Sequence, residues 1–421
     1  MGDMIVMSQK ELQRCRVLRL VLGGRLTLRK ASELMGVSYR HARRLKWRYE
    51  RYGEEGLAHG NRGRPPPNKV GDDLRSRVLE LSQEKYADFN DSHFCEMLFE
   101  DEGIRLSRDT VRRMRRNAGI KSKRRRRAKH HRKRRERKPV RGQMMLWDGS
   151  PHPWFGEEKP PCCLMAAMDD ATGRILAGRF EPSETSLGYM RLLRAVVTTH
   201  GIPASVYQDG HSALERNDDH WSLEEQLKGE QEPTQVGCAL RGLGVERIRA
   251  LSPQAKGRIE RLFGVLQDRM IAEMRLAGID NMEEANRWLA GFIERYNARF
   301  AVSASERGSL FRKAGRMDVE GIISFRYERV VGNDNTVSVG GLVIDIPPGT
   351  CGRGYAKSRV EVRQLLDGSW RVCHKGKIIA THPATPLNSP VRGRAKRKAK
   401  GAAEWVWVYR SSAPGPTETR P

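Results

Sequence analysis

The chain has 421 residues, a formal net charge of +27 and a sequence pI near 10.2, and 38% of its residues are hydrophobic. This positive excess is far beyond what solubility requires and indicates a polyanionic partner, and the length is typical of three or four modest domains. The seven cysteines have no zinc-finger or redox spacing, and no window approaches the ~18 apolar residues of a membrane span. We therefore expect reduced thiols in the cytoplasm and neither secretion nor membrane insertion.

The first 60 residues have the pattern of a three-helix DNA-binding unit. Apolar residues recur at helical spacing from Lys10 to Tyr52, with breaks at residues 23–24 and at Gly36-Val37-Ser38. Gly36 is expected to make a tight turn and Ser38 to cap the next helix. We predict a helix-turn-helix domain over residues 1–60, in preference to a bundle with a solvated charged face. The predicted DNA-binding residues on its third helix are Arg40, His41, Arg43, Arg44, Lys46 and Arg48.

A proline-rich linker, residues 61–71, is followed by a second helical pattern over residues 72–120. The prolines at 65–67 exclude a helix, so the linker is either an arm that follows a minor groove or a solvated spacer. In the second pattern, Ser107 is expected to cap another basic helix. We predict a second helix-turn-helix domain, with or without a wing. Its predicted DNA-binding residues are Arg112, Arg113, Arg115 and Arg116.

Residues 121–141 form a basic linker with 14 Lys or Arg and one acid, Glu136. Such a run repels itself, so it is expected to stay irregular until it lies along phosphates.

Residues 142–310 are predicted to form an α/β core with a mixed sheet of the ribonuclease H type. An apolar strand ends at Asp148, and a hairpin turns at residues 169–173. A helix over 186–200 precedes a strand that ends at Asp209. Because the first and fourth strands of such a sheet are neighbours, Asp148 and Asp209 could reach one metal. The acidic stretch 215–235 is interpreted as an insertion that shields the site, contacts another subunit or only fills a loop.

Three acids are candidates for a metal site: Asp148, Asp209 and Glu260. Carboxylates that converge at strand ends repel one another unless a cation is present. Each also has a structural explanation, since the aspartates precede glycines and could begin turns, and Glu260 could pair with Arg258 or Arg261. Asp169 and Asp170 are interpreted as turn formers.

Residues 320–385 alternate as short strands and predict a small β-barrel. Residues 386–421 are predicted to be a basic, disordered tail. The expected fold class is thus multidomain α+β, with amino-terminal helix-turn-helix domains, the mixed-sheet core and the carboxyl-terminal barrel.

In this order the segments resemble transposases of the integrase-core (DDE) superfamily, in particular the ISNCY-type bacterial insertion-sequence transposases. The specific motifs are His200-Gly201-Ile202-Pro203 before Asp209-Gly210, the block Gln254 to Glu260, and Arg295-Tyr296-Asn297-Ala298-Arg299. The resemblance implies that Asp148, Asp209 and Glu260 bind metal and that Lys256 and Arg258 are its basic positions near the third acid. Because Lys256 and Arg258 lie just ahead of Glu260, both are predicted to face the phosphates of DNA. Asp209 and Glu260 are further apart than in compact members. The rival third acid, Glu246, lacks the glycine and the basic neighbours.

The resemblance implies a polynucleotidyl transferase that cleaves a DNA strand and joins the freed 3′-hydroxyl to target DNA. Two Mg²⁺ ions, with Mn²⁺ as a substitute, can activate the attacking oxygen and neutralise the leaving one when ~3.5–4 Å apart. The expected partners are double-stranded DNA, as element ends and target, and a second copy in a homodimer or larger assembly on the bacterial nucleoid. No membrane or small-molecule substrate is expected. A catalytically silent DNA-binding regulator and a metal-dependent nuclease without joining activity are the alternatives.

Overall fold

The structure is a computed structural model that describes residues 7–58, 61, 69–123, 135–216, 221, 223–229, 231–250, 257–349, 352–385 and 390–391. The chain divides into two compact units, residues 1–79 and residues 80–421. The boundary falls within one helix, and each unit is described separately below. Six cysteines in the described ranges are free thiols: Cys15, Cys95, Cys162, Cys163, Cys238 and Cys373.

The amino-terminal unit begins with three helices: α1 (Gln9–Leu22), α2 (Leu28–Leu34) and α3 (Tyr39–Tyr52). The Ser38 hydroxyl accepts a hydrogen bond from the backbone N–H of His41, so the predicted cap of α3 is confirmed. Gly36 has a φ of +62°, which disfavours any residue with a Cβ, and the predicted turn is confirmed too. Leu18 and Leu45 are buried in the small core between these helices.

The larger unit contains a five-stranded mixed sheet with the order β3-β2-β1-β4-β5. Its strands are β1 (Met145–His152), β2 (Cys162–Asp169), β3 (Ile175–Glu181), β4 (Ser205–Gln208) and β5 (Glu246–Arg249). β1 is antiparallel to β2 and parallel to β4, and β2 is antiparallel to β3. Both the predicted hairpin and the predicted pairing of the first strand with the fourth are confirmed.

Helices cover both faces of this sheet: α7 (Ser186–Thr199), α9 (Gln235–Gly242), α10 (Gly257–Leu276) and α11 (Met282–Phe300). Alternate residues of β1 enter two separate cores because side chains along a strand point to opposite faces. Met145 and Trp147 pack with α7 and α9, whereas Leu146 packs with α10 and α11. A short helix, α8 (Leu223–Lys228), lies within the segment interpreted as an insertion.

The second helical pattern forms α4 (Asp72–Gln83), α5 (Asp91–Glu100) and α6 (Arg108–Asn117). Ser107 caps α6 by accepting a 3.2 Å hydrogen bond from the Thr110 N–H, as predicted. Ion pairs join α5 to the helices over the sheet. Glu96 pairs with Arg269 of α10 and Arg299 of α11 at 2.6 Å each, and His93 Nε2 lies 3.1 Å from Glu273 of α10.

The carboxyl-terminal strands do not form the predicted closed barrel. After α12 (Val319–Ile322) come β6 (Phe325–Val330), β7 (Thr336–Val339), β8 (Leu342–Asp345), β9 (Arg359–Gln364), β10 (Trp370–His374) and β11 (Lys377–His382). Within the described ranges, four strands make an open sheet, β11-β10-β9-β6, and β7 pairs with β8 in a separate hairpin. Val337 and Ile344 of the hairpin share a core with Trp370 of the sheet, so packing buries the apolar face without closure. The predicted disordered tail lies almost entirely outside the described residues.

Candidate functional site

Two of the three predicted acids lie side by side. In the parallel pair of β1 and β4, Leu146 is opposite Tyr207. Each aspartate lies two residues further on, Asp148 within β1 and Asp209 one residue past the end of β4, and neighbouring strands are about 4.7–4.9 Å apart. Since Leu146 and Tyr207 face α10, alternation along β1 sends Asp148 to that face, and the charges of Asp148 and Asp209 both act on the buried Tyr189. The fold therefore brings together two carboxylates that are distant in the chain.

Glu260 lies in the first turn of α10, the helix that covers this face. Gln267, seven residues later on the same stripe of the helix, donates a 3.1 Å hydrogen bond to the Ser150 hydroxyl of β1. Gly264 lies between them, and a Cβ added there would meet no atom from another part of the chain within 4 Å, so this point of the helix borders open space. Glu260 is exposed. It lies on the same stripe of α10 as Gln267, which contacts β1 at Ser150, two residues after Asp148.

The third acid is not gathered with the other two. Among the described residues, no three His, Cys, Asp or Glu side chains are close enough together to hold a metal ion. The rival acid, Glu246, lies opposite Ser205 at the start of β5. It is therefore four residues, or about 13 Å, along the strands from the level of Asp209. Strand geometry thus disfavours Glu246 as the third ligand.

A further acid that the sequence did not single out, Glu184, lies beside the pair. Its side chain is 15% exposed, and its Oε1 accepts a 2.5 Å hydrogen bond from the buried Tyr189 hydroxyl. Burial is the main reason that the pKa of Tyr189 is raised far above its usual range, and the charges of Glu184, Asp148 and Asp209 add to that rise. Three carboxylates therefore create a negative field here, and their oxygens are the ligand type that Mg²⁺ takes. No spacing in the sequence distinguishes Glu184 from an ordinary residue before a helix cap.

The aspartates of the β2–β3 turn are structural, as predicted. Asp169 is buried and accepts hydrogen bonds of 3.0 and 2.6 Å from the N–H and hydroxyl of Thr172. Asp170 is also buried and is paired with Arg135 and Arg258. Burial alone would raise the pKa of Asp170, but the hydrogen bonds from Arg135, the Lys138 N–H and Arg258 hold it below its usual range.

The two basic residues that the resemblance placed near the third acid have different positions. Arg258 is directed to Asp170, and its side chain is 15% exposed. This ion pair occupies a guanidinium that was expected to face phosphates. Lys256 lies outside the described residues.

Helix α3 of the helix-turn-helix domain has one basic stripe on its exposed side. Arg40, Arg43 and Arg44 are exposed at helical spacing. Trp47 and Arg51 continue this stripe, and the Arg51 guanidinium lies 5.4 Å from the Trp47 ring centre. Neither was among the predicted DNA-binding residues, since Trp47 carries no charge and Arg51 lies beyond the basic run of residues 40–48.

Other predicted residues of α3 turn away from that stripe or are partly engaged. Arg48 donates a 3.0 Å hydrogen bond to the carbonyl of Ala58, and Lys46 lies 3.5 Å from Glu50. His41 is partly buried. Burial, with nearby arginines, holds the pKa of its ring below the usual value.

On α6, the predicted arginines divide into two groups. Arg112 and Arg113 are exposed. Arg115 is buried and donates a 2.8 Å hydrogen bond to Asp91, and Arg116 donates one of 2.6 Å to the same carboxylate. Asp91 therefore binds two of the four arginines that were predicted to contact DNA, and these ion pairs hold α6 against α5.

Comparisons with known proteins match one amino-terminal domain and, separately, most of the chain. Residues 13–66 match a family described as a helix-turn-helix domain. The transposase y4bF of Sinorhizobium fredii is 35% identical over 89% of this chain and 81% of its own length. The transposase for insertion sequence IS1202 of Streptococcus pneumoniae is 31% identical over 76% of this chain and 75% of its own. This chain belongs to the insertion-sequence transposase family.

A solved structure also overlaps this transposase, at low similarity. It is a chain from the cryo-EM structure of a simian T-cell lymphotropic virus intasome with PP2A regulatory subunit B56 gamma. The match has 12% identity and a TM-score of 0.31, and it covers 73% of this chain and 99% of the other. A score this low supports no conclusion about the transposase.

Within its described ranges, none of the helices combines the length and apolarity that crossing a bilayer demands.

Proposed function

We propose that this protein is a DDE-type transposase that binds the ends of an insertion sequence and catalyses DNA strand cleavage and strand transfer. The observation that carries the proposal is the parallel pairing of β1 with β4, because Asp148 lies in β1 on the face covered by α10 and Asp209 directly follows β4. A sheet with its first strand between an antiparallel hairpin and a parallel fourth strand also supports a ribonuclease H-like core.

Mg²⁺, with Mn²⁺ as its substitute, is the proposed cofactor. Asp148 and Asp209 would hold it with carboxylate oxygens, and Glu260 would complete the ligand set from the first turn of α10. When bound, the metal activates the attacking oxygen and neutralises the leaving oxygen in an in-line displacement. The same acids can therefore serve cleavage, with water as the nucleophile, and joining, with a DNA hydroxyl.

Double-stranded DNA is the proposed partner, as element ends and as target. The exposed stripe of Arg40, Arg43 and Arg44 on α3 suits a major groove, while Arg112 and Arg113 on α6 offer a second contact surface. Because an element has two ends, we propose at least a dimer assembled on DNA.

A strand-transfer assay with labelled element-end DNA and Mg²⁺ or Mn²⁺ tests the proposal. The variants are Asp209→Asn and Glu260→Gln, which keep size and remove charge. Asp280→Asn is the matched control, since its carboxylate is 67% exposed and pairs with Lys159 on the surface. Wild type and the control are expected to give joined product, and the two site variants to bind DNA but give none.

Each alternative has its own outcome in this assay. Cleavage without joining by the wild type would favour a nuclease, and DNA binding without either reaction would favour a regulator. Full activity of Glu260→Gln would exclude Glu260 from the proposed site.

A further inference from the structure

Glu184 is fixed at three points around the acid pair. Its Oε1 accepts the 2.5 Å hydrogen bond from Tyr189 and lies 3.5 Å from Nδ1 of His211. Its Oε2 lies against Gly149, where an added Cβ would be only 2.6 Å away. Gly149 directly follows Asp148, so one carboxylate packs against the backbone that carries the first acid.

His211 connects Glu184 to the second acid. It comes two residues after Asp209, and its backbone N–H donates a 3.0 Å hydrogen bond to Asp209 Oδ1. The Ala213 N–H donates a 3.3 Å hydrogen bond to Nδ1, so this nitrogen is an acceptor and Glu184 packs beside the ring without a hydrogen bond to it. Glu184 therefore contacts both the strand that carries Asp148 and the loop that follows Asp209.

Glu184 lies behind the acid pair and not within it. Residue 149 of β1 shares the α7 face with Met145 and Trp147, whereas Asp148 faces α10. Within the described ranges Glu184 also forms no three-ligand group with the two aspartates. The position suits a side chain that acts through geometry and charge.

We propose that Glu184 is a positioning residue that packs against Gly149 and the His211 ring and thereby sets the separation of Asp148 and Asp209 for a divalent cation. The inference rests on the proposed function, because it assigns Glu184 to the same metal site. Tyr189 contributes to this positioning, because its hydroxyl orients the Glu184 carboxylate through a hydrogen bond and is not itself part of the acid pair.

Mn²⁺ binding to the full chain, measured by electron paramagnetic resonance, tests this role without a reaction. Glu184→Gln keeps the size and removes the charge, and Tyr189→Phe removes only the hydroxyl. Glu181→Gln is the matched control, because this buried carboxylate lies three residues earlier and pairs with Arg179 and Arg191. We expect about tenfold weaker Mn²⁺ binding in Glu184→Gln, the scale seen when partners of metal ligands are changed. A smaller loss of Mn²⁺ affinity is expected in Tyr189→Phe, and none in the control Glu181→Gln. All three variants are expected to bind DNA with wild-type affinity.

Asp148→Asn separates failure of this inference from failure of the proposed function. If Asp148→Asn loses Mn²⁺ and Glu184→Gln binds it like wild type, the positioning role is wrong and the metal site stands. If Asp148→Asn also binds Mn²⁺ like wild type, the proposed metal site itself is wrong, and the role of Glu184 falls with it. Should Glu184→Gln not fold, folded Tyr189→Phe with wild-type Mn²⁺ affinity would overturn the inference.

Discussion

At the scale of single residues, Asp170 is a buried acid that forms ion pairs with two arginines of this basic chain. Asp170 is fully buried and neutralises Arg135 and Arg258, whose side chains are 31% and 15% exposed. In Asp170→Asn these two guanidinium groups would face each other without their anion. Because removing one partner of a buried pair strands the other charge, we expect a loss of about 3–5 kcal/mol in the free energy of unfolding. Urea denaturation at neutral pH measures it, and the surface variant Asp280→Asn should change by less than about 1 kcal/mol.

The same carboxylate predicts an acid-labile contribution to stability. Its folded-state pKa lies below the unfolded value of about 3.9, so the unfolded chain takes up the proton first as pH falls. The contribution is complete above about pH 5, begins to fall as the pH approaches the unfolded pKa, and is lost through the lower folded pKa. Wild type and Asp170→Asn should therefore differ at pH 7 and converge below pH 4 in urea midpoints. A difference that persists undiminished in acid would contradict this assignment.

Residue types alone identified some of these roles and missed others. Asp148 and Asp209 were singled out because each follows a short apolar run, and strand adjacency follows from the order of elements. The strand end predicted at Asp148 is wrong, because β1 continues to His152. Glu184 could not, since its role depends on a contact with Gly149 that no spacing encodes. Arg115 and Arg258 were counted as DNA contacts because sequence shows charge but not the acid that neutralises it.

At the scale of elements, the exposed stripe of α3 is the part of the helix that can enter a groove. Arg43→Ala should weaken DNA binding and make the slope of log affinity against log salt shallower by about 1, as expected for one phosphate contact. Arg16→Ala is the control, because Arg16 is exposed on α1 and lies outside the recognition helix. Fluorescence anisotropy over a salt series measures both. Equal losses in the two variants would mean that general charge, and not α3, determines binding.

The ion pairs of α5 make a second prediction at this scale. Glu96 accepts hydrogen bonds of 2.6 and 3.0 Å from Arg269, which is only 9% exposed, and one of 2.6 Å from Arg299. Glu96→Gln leaves the buried Arg269 without its carboxylate, while Arg299 keeps its pair with Glu100, so α5 should open more often around Glu96. Hydrogen–deuterium exchange should speed up across α5 and stay unchanged in β1 and β2. Unchanged exchange in α5 would show that apolar packing alone holds it.

Periodicity predicted which elements exist better than how they pair. The hairpin over 169–173 and the caps at Ser38 and Ser107 depend on local chemistry, and all three are confirmed. Closure of a barrel depends on which strand edges meet, and alternation contains no such information. The carboxyl-terminal strands therefore matched in position, while the sheet they form is open.

At the scale of the whole molecule, the net charge of +27 is distributed unevenly, and the basic linker is its densest part. The carboxyl-terminal end of this linker is anchored, because Arg137 donates hydrogen bonds of 3.2 and 3.3 Å to the carbonyls of Asp170 and Ala171. Residues 124–134, which lie outside the described ranges, contain eight Lys or Arg and no acid. If they neutralise phosphates, each releases about 0.9 counterion on duplex DNA. Replacing all eight by Gln should make the salt slope shallower by several units while the folded unit keeps its urea midpoint. A slope equal to that of wild type would place DNA affinity in α3 and α6 alone and would leave the linker as a spacer.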